Sequence, residues 1–161
     1  MVKTLILGDI HISNKDAVLR EAQVDCVATI FKTVKPDEVI QLGDFLDFRK
    51  PSPEALLAAK SIIDFWKEKA NVVILRGNHC ASTKADDGVT ALSVFESEKV
   101  DIITQLEVDH DLRRVYIPHY ENEKLITNAL RKCPKDYTVF GHFGYYGCLN
   151  SVGDFDFNIN L

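Results

Sequence analysis

The chain has no apolar run approaching the roughly 20 residues that a membrane span requires, and its strand-like pattern begins at Val2 where a signal peptide would otherwise stand. These absences set the expectation of a cytoplasmic protein with no membrane partner. The four cysteines, Cys26, Cys80, Cys133 and Cys148, include no C-x-x-C pair and fall on different predicted elements. That spacing argues against a zinc knuckle or a disulfide framework and predicts free thiols. There are no internal repeats and no low-complexity tract. Positive charge is also scarce, since 19 Lys and Arg against 24 Asp and Glu leave a net charge of −5. No global field therefore draws the chain to nucleic acid.

What is present is ordinary for a globular domain. The 161 residues are 46% hydrophobic and 27% charged, enough for one domain with a real core, which is expected to span residues 1–161. Three short apolar runs, Val2 to Leu7, Val39 to Leu42 and Asn71 to Leu75, read as buried parallel strands. Between them, Val27, Ile30, Phe31 and Val34 keep a helical period, as do Ala55, Ala59, Ile62 and Trp66. Ser52 suits an N-cap, Pro53 the first turn and Glu54 the helix dipole. The first half is thus βαβαβ. Further on, Gly88 to Glu98 is predicted as a short helix carrying Val89, Leu92 and Phe95 on one side. Val100 to Ile103 and Arg114 to Pro118 are strand candidates. Glu121 to Lys132 is predicted helical with Leu125, Asn128 and Ala129 on a mixed face, and Tyr137 to Phe140 is a strand.

Each of the first three strands is followed at once by polar residues of a particular kind: Gly8-Asp9-Ile10-His11, Gly43-Asp44-Phe45-Leu46-Asp47 and Gly77-Asn78-His79. A fourth strand ends at Gly141-His142. Strand ends that deliver Asp, His or Asn are how a parallel sheet builds a metal site in the crevice above it. Asp9 and His11 are two apart and share a side of an extended chain. Asp44 has two oxygens and can bridge two ions, Asn78 offers a neutral oxygen and His142 a nitrogen. Oxygen and nitrogen donors without thiolate suit Mn2+, Fe2+ or Zn2+ and argue against copper or iron–sulfur chemistry. Two such ions about 3.5–4 Å apart clamp the attacking and leaving oxygens of an in-line phosphoryl displacement. Phosphoester hydrolysis is the reaction that best uses these groups.

These motifs, in this order, resemble the calcineurin-like metallophosphoesterases, whose pattern runs D-x-H, G-D-x-x-D, G-N-H, a lone His and G-H-x-H. Within that superfamily the chain is most similar to the Mre11/SbcD nuclease subunits of double-strand-break repair complexes. That closer likeness rests on the stretch from Gly43 to Leu56, with its Arg49-Lys50-Pro51-Ser52-Pro53 segment, and on Val115-Tyr116-Ile117-Pro118-His119-Tyr120. The resemblance implies a layered α/β fold with a mainly parallel central sheet flanked by helices, and a DNA exo/endonuclease subunit working with two divalent ions, Mn2+ first and Fe2+ or Zn2+ as alternatives. It implies that Asp9, His11 and Asp44 hold one ion and Asp44, Asn78 and His142 the other. His79 would stand over the scissile phosphate and donate to the leaving oxygen. Asp47 would orient that histidine. The implied partners are DNA, an SMC/Rad50-like ATPase and a second copy of the chain.

The chain departs from the pattern in two places. Cys80 stands where an acid usually follows G-N-H, and its simplest role is a buried thiol. Gly141-His142-Phe143-Gly144 carries only the first half of G-H-x-H. Either His142 is the lone histidine and the G-H-x-H would lie beyond Leu161, or His142 opens a degenerate motif and His119 is the lone ligand. The strand-and-helix order before His142 favours the first, which implies a truncated domain and leaves His119 as a pocket-lining residue. A small-substrate phosphodiesterase or phosphatase, and a non-catalytic module, are the alternatives to a nuclease. His110 reads as an exposed loop residue. Arg49-Lys50, Arg113-Arg114 and Arg131-Lys132 are candidate phosphate contacts, and Tyr120, Tyr145 and Tyr146 candidate stacking partners for bases.

Overall fold

The computed structural model describes residues 2–144. Tyr145, Tyr146 and Cys148 therefore lie outside the described residues. The first half folds as the periodicity predicts. Strand β1 (Thr4–Leu7) leads to helix α1 (Ala17–Val34), β2 (Glu38–Gln41), α2 (Pro53–Lys67) and β3 (Asn71–Leu75). Asp16 caps α1 by accepting from the Leu19 N–H, and Ser52 caps α2 by accepting from the Ala55 N–H with Pro53 in the first turn. A fourth strand, β4 (Val100–Ile103), completes a sheet in the order β1-β2-β3-β4, with every neighbouring pair parallel.

The alternation along these strands shows what covers each side. Val39, Val72, Ile74, Val100 and Ile102 pack with Val27 and Phe31 of α1 and with Ala55, Ala59, Ile62, Ile63 and Trp66 of α2. Their neighbours Ile40, Val73, Leu75 and Ile103 face the other way and pack against Tyr116 and Phe140. Those two side chains stack at 5.5 Å and belong to a second sheet. It consists of β5 (Glu107–Asp109), β6 (Arg114–Ile117) and β7 (Thr138–Gly141), with β5 antiparallel to β6 and β6 parallel to β7. Its outer side is closed by α3 (Glu123–Lys132), where Val115 and Ile117 meet Ile126 and Ala129. The layers run helices, sheet, sheet, helix. Burial on both faces explains why the central strands β2 and β3 read as continuous apolar runs, whereas the edge strand β1 leaves Ile6 exposed.

Three details differ from expectation. The segment around Leu92 forms only a 3-10 turn, Ala91–Phe95, and Val89 is exposed. The buried stripe of α3 runs through Ile126 and Ala129, leaving Leu125 exposed, because β6 meets the helix along that i, i+3 line. β5 was not foreseen; it is short and its side chains are largely exposed, so it carries little apolar signal. Among the described residues no helix is long and apolar enough to cross a membrane.

Candidate metal centre

The polar motifs all emerge at the C-terminal ends of strands, and the main chain ties them together. The loop after β1 zips onto the loop after β2: the N–H groups of Asp9, His11 and Ile12 donate to the carbonyls of Gly43, Asp44 and Phe45 at 3.3, 2.9 and 2.9 Å. Asp9, His11 and Asp44 all take the left-handed conformation, with φ of 49°, 49° and 51°. That conformation turns each side chain out of the strand direction and into the crevice. The fourth motif comes from the second sheet, where the His142 N–H continues the β6–β7 pairing by donating to Ile117 O at 3.1 Å. The centre therefore sits where the two sheets meet.

Asp44 is its hub. The residue is buried, and Oδ1 accepts the His79 main-chain N–H at 2.8 Å. Oδ2 lies 3.7 Å from His11 Nε2 and 3.5 Å from His142 Nε2. Asp9 Oδ1 is 3.9 Å from the same His11 nitrogen, and one donor atom each from Asp9, His11 and Asp44 fall within 4.8 Å of one another. On the other side Asn78 Oδ1 stands 2.9 Å from His142 Nε2. The structure thus brings Asp9, His11, Asp44, Asn78 and His142 to one place.

The electrostatics of this place call for a cation. His142 Nδ1 donates to the Leu42 carbonyl at 2.9 Å. Its Nε2 consequently faces two oxygen acceptors, which only a proton or a metal ion between them can reconcile. Burial disfavours charge on His142, yet the Asp44 carboxylate, with Asp9 and the Leu42 carbonyl, raises its pKa above the ordinary histidine value. For Asp44 burial pushes upward, but the His142 ring and the His79 N–H outweigh it and hold the carboxyl below its usual range. Ligand atoms about 2.0–2.2 Å from a common ion stand roughly 3.0–4.2 Å apart. The separations among Asp9, His11, Asp44 and His142, 3.5–3.9 Å, fall in that span, and the 2.9 Å between Asn78 Oδ1 and His142 Nε2 lies at its lower edge, so the donor set fits divalent metal.

Two glycines make the approach possible. At Gly43 φ is +113°, and an added Cβ would run into the His142 ring; at Gly77 it would run into the Asp44 side chain and main chain. Two glutamines, neither foreseen, brace the loops. Gln41, fully buried at the end of β2, accepts from Gly43 N–H at 2.9 Å and donates to Gly43 O at 2.6 Å. Gln23 of α1 donates to the carbonyls of Ile10 and His11 at 2.9 and 2.8 Å and accepts from Ser13 N–H at 2.9 Å. A polar residue closing a buried strand was a readable signal for Gln41. Gln23 left none, because nothing local separates it from a solvated helix position.

His79 and Asp47 are neighbours, by a contact other than the expected one. His79 Nδ1 donates to the main-chain carbonyl of Asp47 at 2.8 Å, which leaves Nε2 as the free atom of the ring. The Asp47 carboxylate stands instead 3.8 Å from His11 Nδ1, beyond hydrogen-bond reach, and one donor atom each from His11, Asp47 and His79 fall within 4.8 Å of one another. The His11 and His79 rings meet edge to face at 5.0 Å.

His119 lies in the same cleft as His142, Asn78 and Asp9, a space of about 560 Å3. Its ring centroid is 6.1 Å from that of His142, and its pKa is lowered by burial and then by the neighbouring His142 charge. It occupies a pocket-lining position. Cys80 is buried, and burial pushes its thiol up to about 11, which leaves it an unreactive packing group. His110 is exposed and bonded to the Tyr137 hydroxyl at 2.8 Å. Of the basic pairs, Arg49 is consumed by Thr83 O (2.8 Å) and Glu121 (2.9 Å), Arg113 by Asp136 and Arg114 by Glu38. Tyr120 is buried and donates to Gln105.

Comparison with known proteins gives the same direction. The family described as calcineurin-like phosphoesterase matches residues 2–160. No curated protein matches the chain. Among solved structures the chain is similar to the Pseudomonas putida nuclease MPE, at 21% identity and a TM-score of 0.50, over 72% of this chain and 53% of that one. It spans about half the length of that nuclease, and a likeness at this identity concerns the fold.

Proposed function

The chain belongs to the calcineurin-like phosphoesterase family, a family of metal-dependent hydrolases, and on that premise we propose that it hydrolyses phosphodiester bonds in DNA. Asp9, His11 and Asp44 would hold one divalent ion and Asp44, Asn78 and His142 a second, with Mn2+ the proposed metal. The observation that carries this reading is the position of Asp44 Oδ2, between Nε2 of His11 and Nε2 of His142 while Oδ1 is committed to the His79 N–H. When bound, a pair of such ions supplies Lewis-acid stabilisation of the phosphoryl oxygens and a nucleophile at neutral pH.

The chain's own residues do the rest. The Leu42 and Asp47 carbonyls fix the tautomers of His142 and His79 by accepting from their Nδ1–H groups. His79 Nε2 is left to donate a hydrogen bond or a proton to the leaving oxygen. The Asp47 carboxylate lies 3.8 Å from His11 Nδ1, at the ring nitrogen opposite the one that faces Asp9 and Asp44. DNA as substrate is supported by the Mre11/SbcD-like stretches from Gly43 to Leu56 and Val115 to Tyr120, and the fold neighbour is itself a nuclease. The same likeness makes an SMC/Rad50-like ATPase and a second copy of the chain the proposed partners.

Elemental analysis after dialysis against excess Mn2+ tests the metal assignment, with about two ions per chain expected. A chain that retains no metal overturns it. Turnover of linear DNA alongside a small aryl phosphodiester tests the substrate: cleavage of the aryl ester alone overturns the nuclease reading and leaves a small-substrate phosphodiesterase.

A further inference from the structure

Consecutive residues line two different clefts, Asn78 one and His79 the other. One contains Asp9, Asn78, His119 and His142. The other, about 500 Å3, is lined by Asp47, Phe48, Arg49, Lys50, His79 and Ser82. Its size lies within the roughly 300–1,000 Å3 of small-molecule sites. In an in-line displacement the attacking and leaving oxygens lie on opposite sides of phosphorus, and the group that donates to the leaving oxygen marks the side on which the departing portion lies. With His79 as that donor, the second cleft receives the leaving portion of the substrate.

The lining of that cleft is specific in kind. Phe48 is 42% exposed, although its neighbours Phe45 and Leu46 are fully buried. The Lys15 ammonium lies over the Phe48 ring, 5.7 Å from its centroid. Neither Lys15 nor Lys50 has a carboxylate partner among the described residues, whereas Arg49 between them is tied to Thr83 and Glu121. The loops are held in place: Asn14 accepts from the Ser52 N–H and its amide donates to Lys50 O at 3.4 Å, so the segments bearing Lys15 and Phe48–Lys50 are linked directly. An exposed aromatic ring with one free ammonium over it and a second free lysine in the same cleft is a combination that binds single-stranded nucleic acid, with a base stacked on the ring and phosphates beside the lysines. In a chain of net charge −5 this local positive pair is set against the general field.

We propose that Phe48, with Lys15 and Lys50, forms a stacking subsite for the nucleobase on the leaving-group side of the scissile phosphodiester. The proposal rests on the phosphodiesterase reading above and adds to it a substrate preference: a single-stranded or frayed end, because a paired base does not offer its face to Phe48. His79 and Phe48 then act on the same departing nucleotide, one at its oxygen and the other at its base.

The test uses the full chain and a phosphorothioate single strand carrying 2-aminopurine, whose fluorescence falls when the base stacks on an aromatic ring. The wild-type chain is expected to quench the probe. Phe48→Ala should abolish the quench and weaken binding about tenfold, within the range for loss of one base–aromatic stack. Phe48→Trp should restore both, which a merely structural role for the ring would not predict. Equal quenching by wild type and Phe48→Ala overturns the subsite. A wild-type chain that cleaves DNA without quenching overturns it too, and leaves the nuclease reading standing. Quenching that depends on Phe48, in a chain that turns over neither DNA nor an aryl phosphodiester, leaves a base-stacking site at Phe48 but overturns its leaving-group role together with the hydrolase reading.

Discussion

Gln23 is the residue whose removal most directly separates the loop architecture from the metal ligands themselves. Its side chain makes three hydrogen bonds to the main chain of residues 10, 11 and 13, at 2.8–2.9 Å, yet it touches no proposed ligand side chain in those contacts. Each such bond contributes about 0.5–1.5 kcal/mol net, so the three together contribute roughly 1.5–4.5 kcal/mol. Gln23 is only half-buried, so water reaches part of the vacated space and the lower half of that range applies. Gln23→Ala should therefore cost about 2 kcal/mol. At roughly 2–4 °C per kcal/mol for a domain of this size, Tm should fall by about 4–8 °C.

The more telling effect is on metal. His11 sits at φ 49° and is held there from both sides, by its N–H on Asp44 O and by its carbonyl on Gln23. Without Gln23 the loop is free to relax toward ordinary backbone angles and swing the imidazole away from Asp9 and Asp44. Loss of a group that orients a ligand typically lowers metal affinity 10–100-fold. Calorimetric titration with Mn2+ should therefore show one weakened and one unchanged site in Gln23→Ala, with thermal unfolding in chelator reporting the stability term separately. A variant within 0.5 kcal/mol of wild type that binds both ions normally would refute the clamp.

The other predictions are shorter. His79→Ala should leave Mn2+ content unchanged and lower DNA turnover by about 10²–10⁴-fold, as expected for loss of a positioned acid; turnover within threefold of wild type would remove it from that role. Gly43→Ala combines a φ of +113° with a collision against His142, so it should destabilise the fold by at least about 1–3 kcal/mol and lower affinity at the Asn78–His142 site, read by unfolding and by Mn2+ titration. Native-state alkylation at pH 8 followed by peptide mapping should label exposed Cys26 and spare Cys80. Because burial raises the Cys80 thiol from 9.0 to about 11, its contribution to stability is fully present below pH 9 and is lost as pH rises through 11. Cys80→Ala should flatten the alkaline decline in stability over that window, and an unchanged decline would assign it to other groups.

Legibility followed signal strength at particular residues. The strands before Asp44 and Asn78 were readable because burial on both faces makes them apolar runs, β1 because it is apolar even though Ile6 is exposed, and the helix faces through Phe31 and Trp66 were readable by period. The second sheet was only partly so. Val115, Ile117 and Phe140 marked β6 and β7, but nothing local says that Tyr116 and Phe140 turn toward Val73 and Leu75, since a packing partner across layers leaves no trace in spacing. The ligand-type residues could be picked out because each follows a strand end. Their division of labour could not: the Asp47 carboxylate stands beside His11, while its carbonyl serves His79. A motif letter names a residue, not which of its atoms makes the contact.

The backbone angles add an argument that the motifs alone do not contain. Asp9, His11 and Asp44 each occupy a left-handed conformation that costs a non-glycine residue of the order of 1–3 kcal/mol. The costs are offset by main-chain bonds between the two loops, and those bonds run from the strained residues themselves: Asp9 N–H to Gly43 O, and His11 N–H to Asp44 O. A loop under no demand would relax and keep the bonds to water. Three strained residues on two loops zipped together, with donor atoms of Asp9, His11 and Asp44 within 4.8 Å of one another, are instead what is needed when side-chain direction matters more than backbone comfort. Converging acceptors of this kind repel one another until a cation lies among them. The fold thus holds ready an arrangement that becomes favourable only when positive charge arrives, which ties the strain in β1 and β2 loops to metal binding rather than to packing.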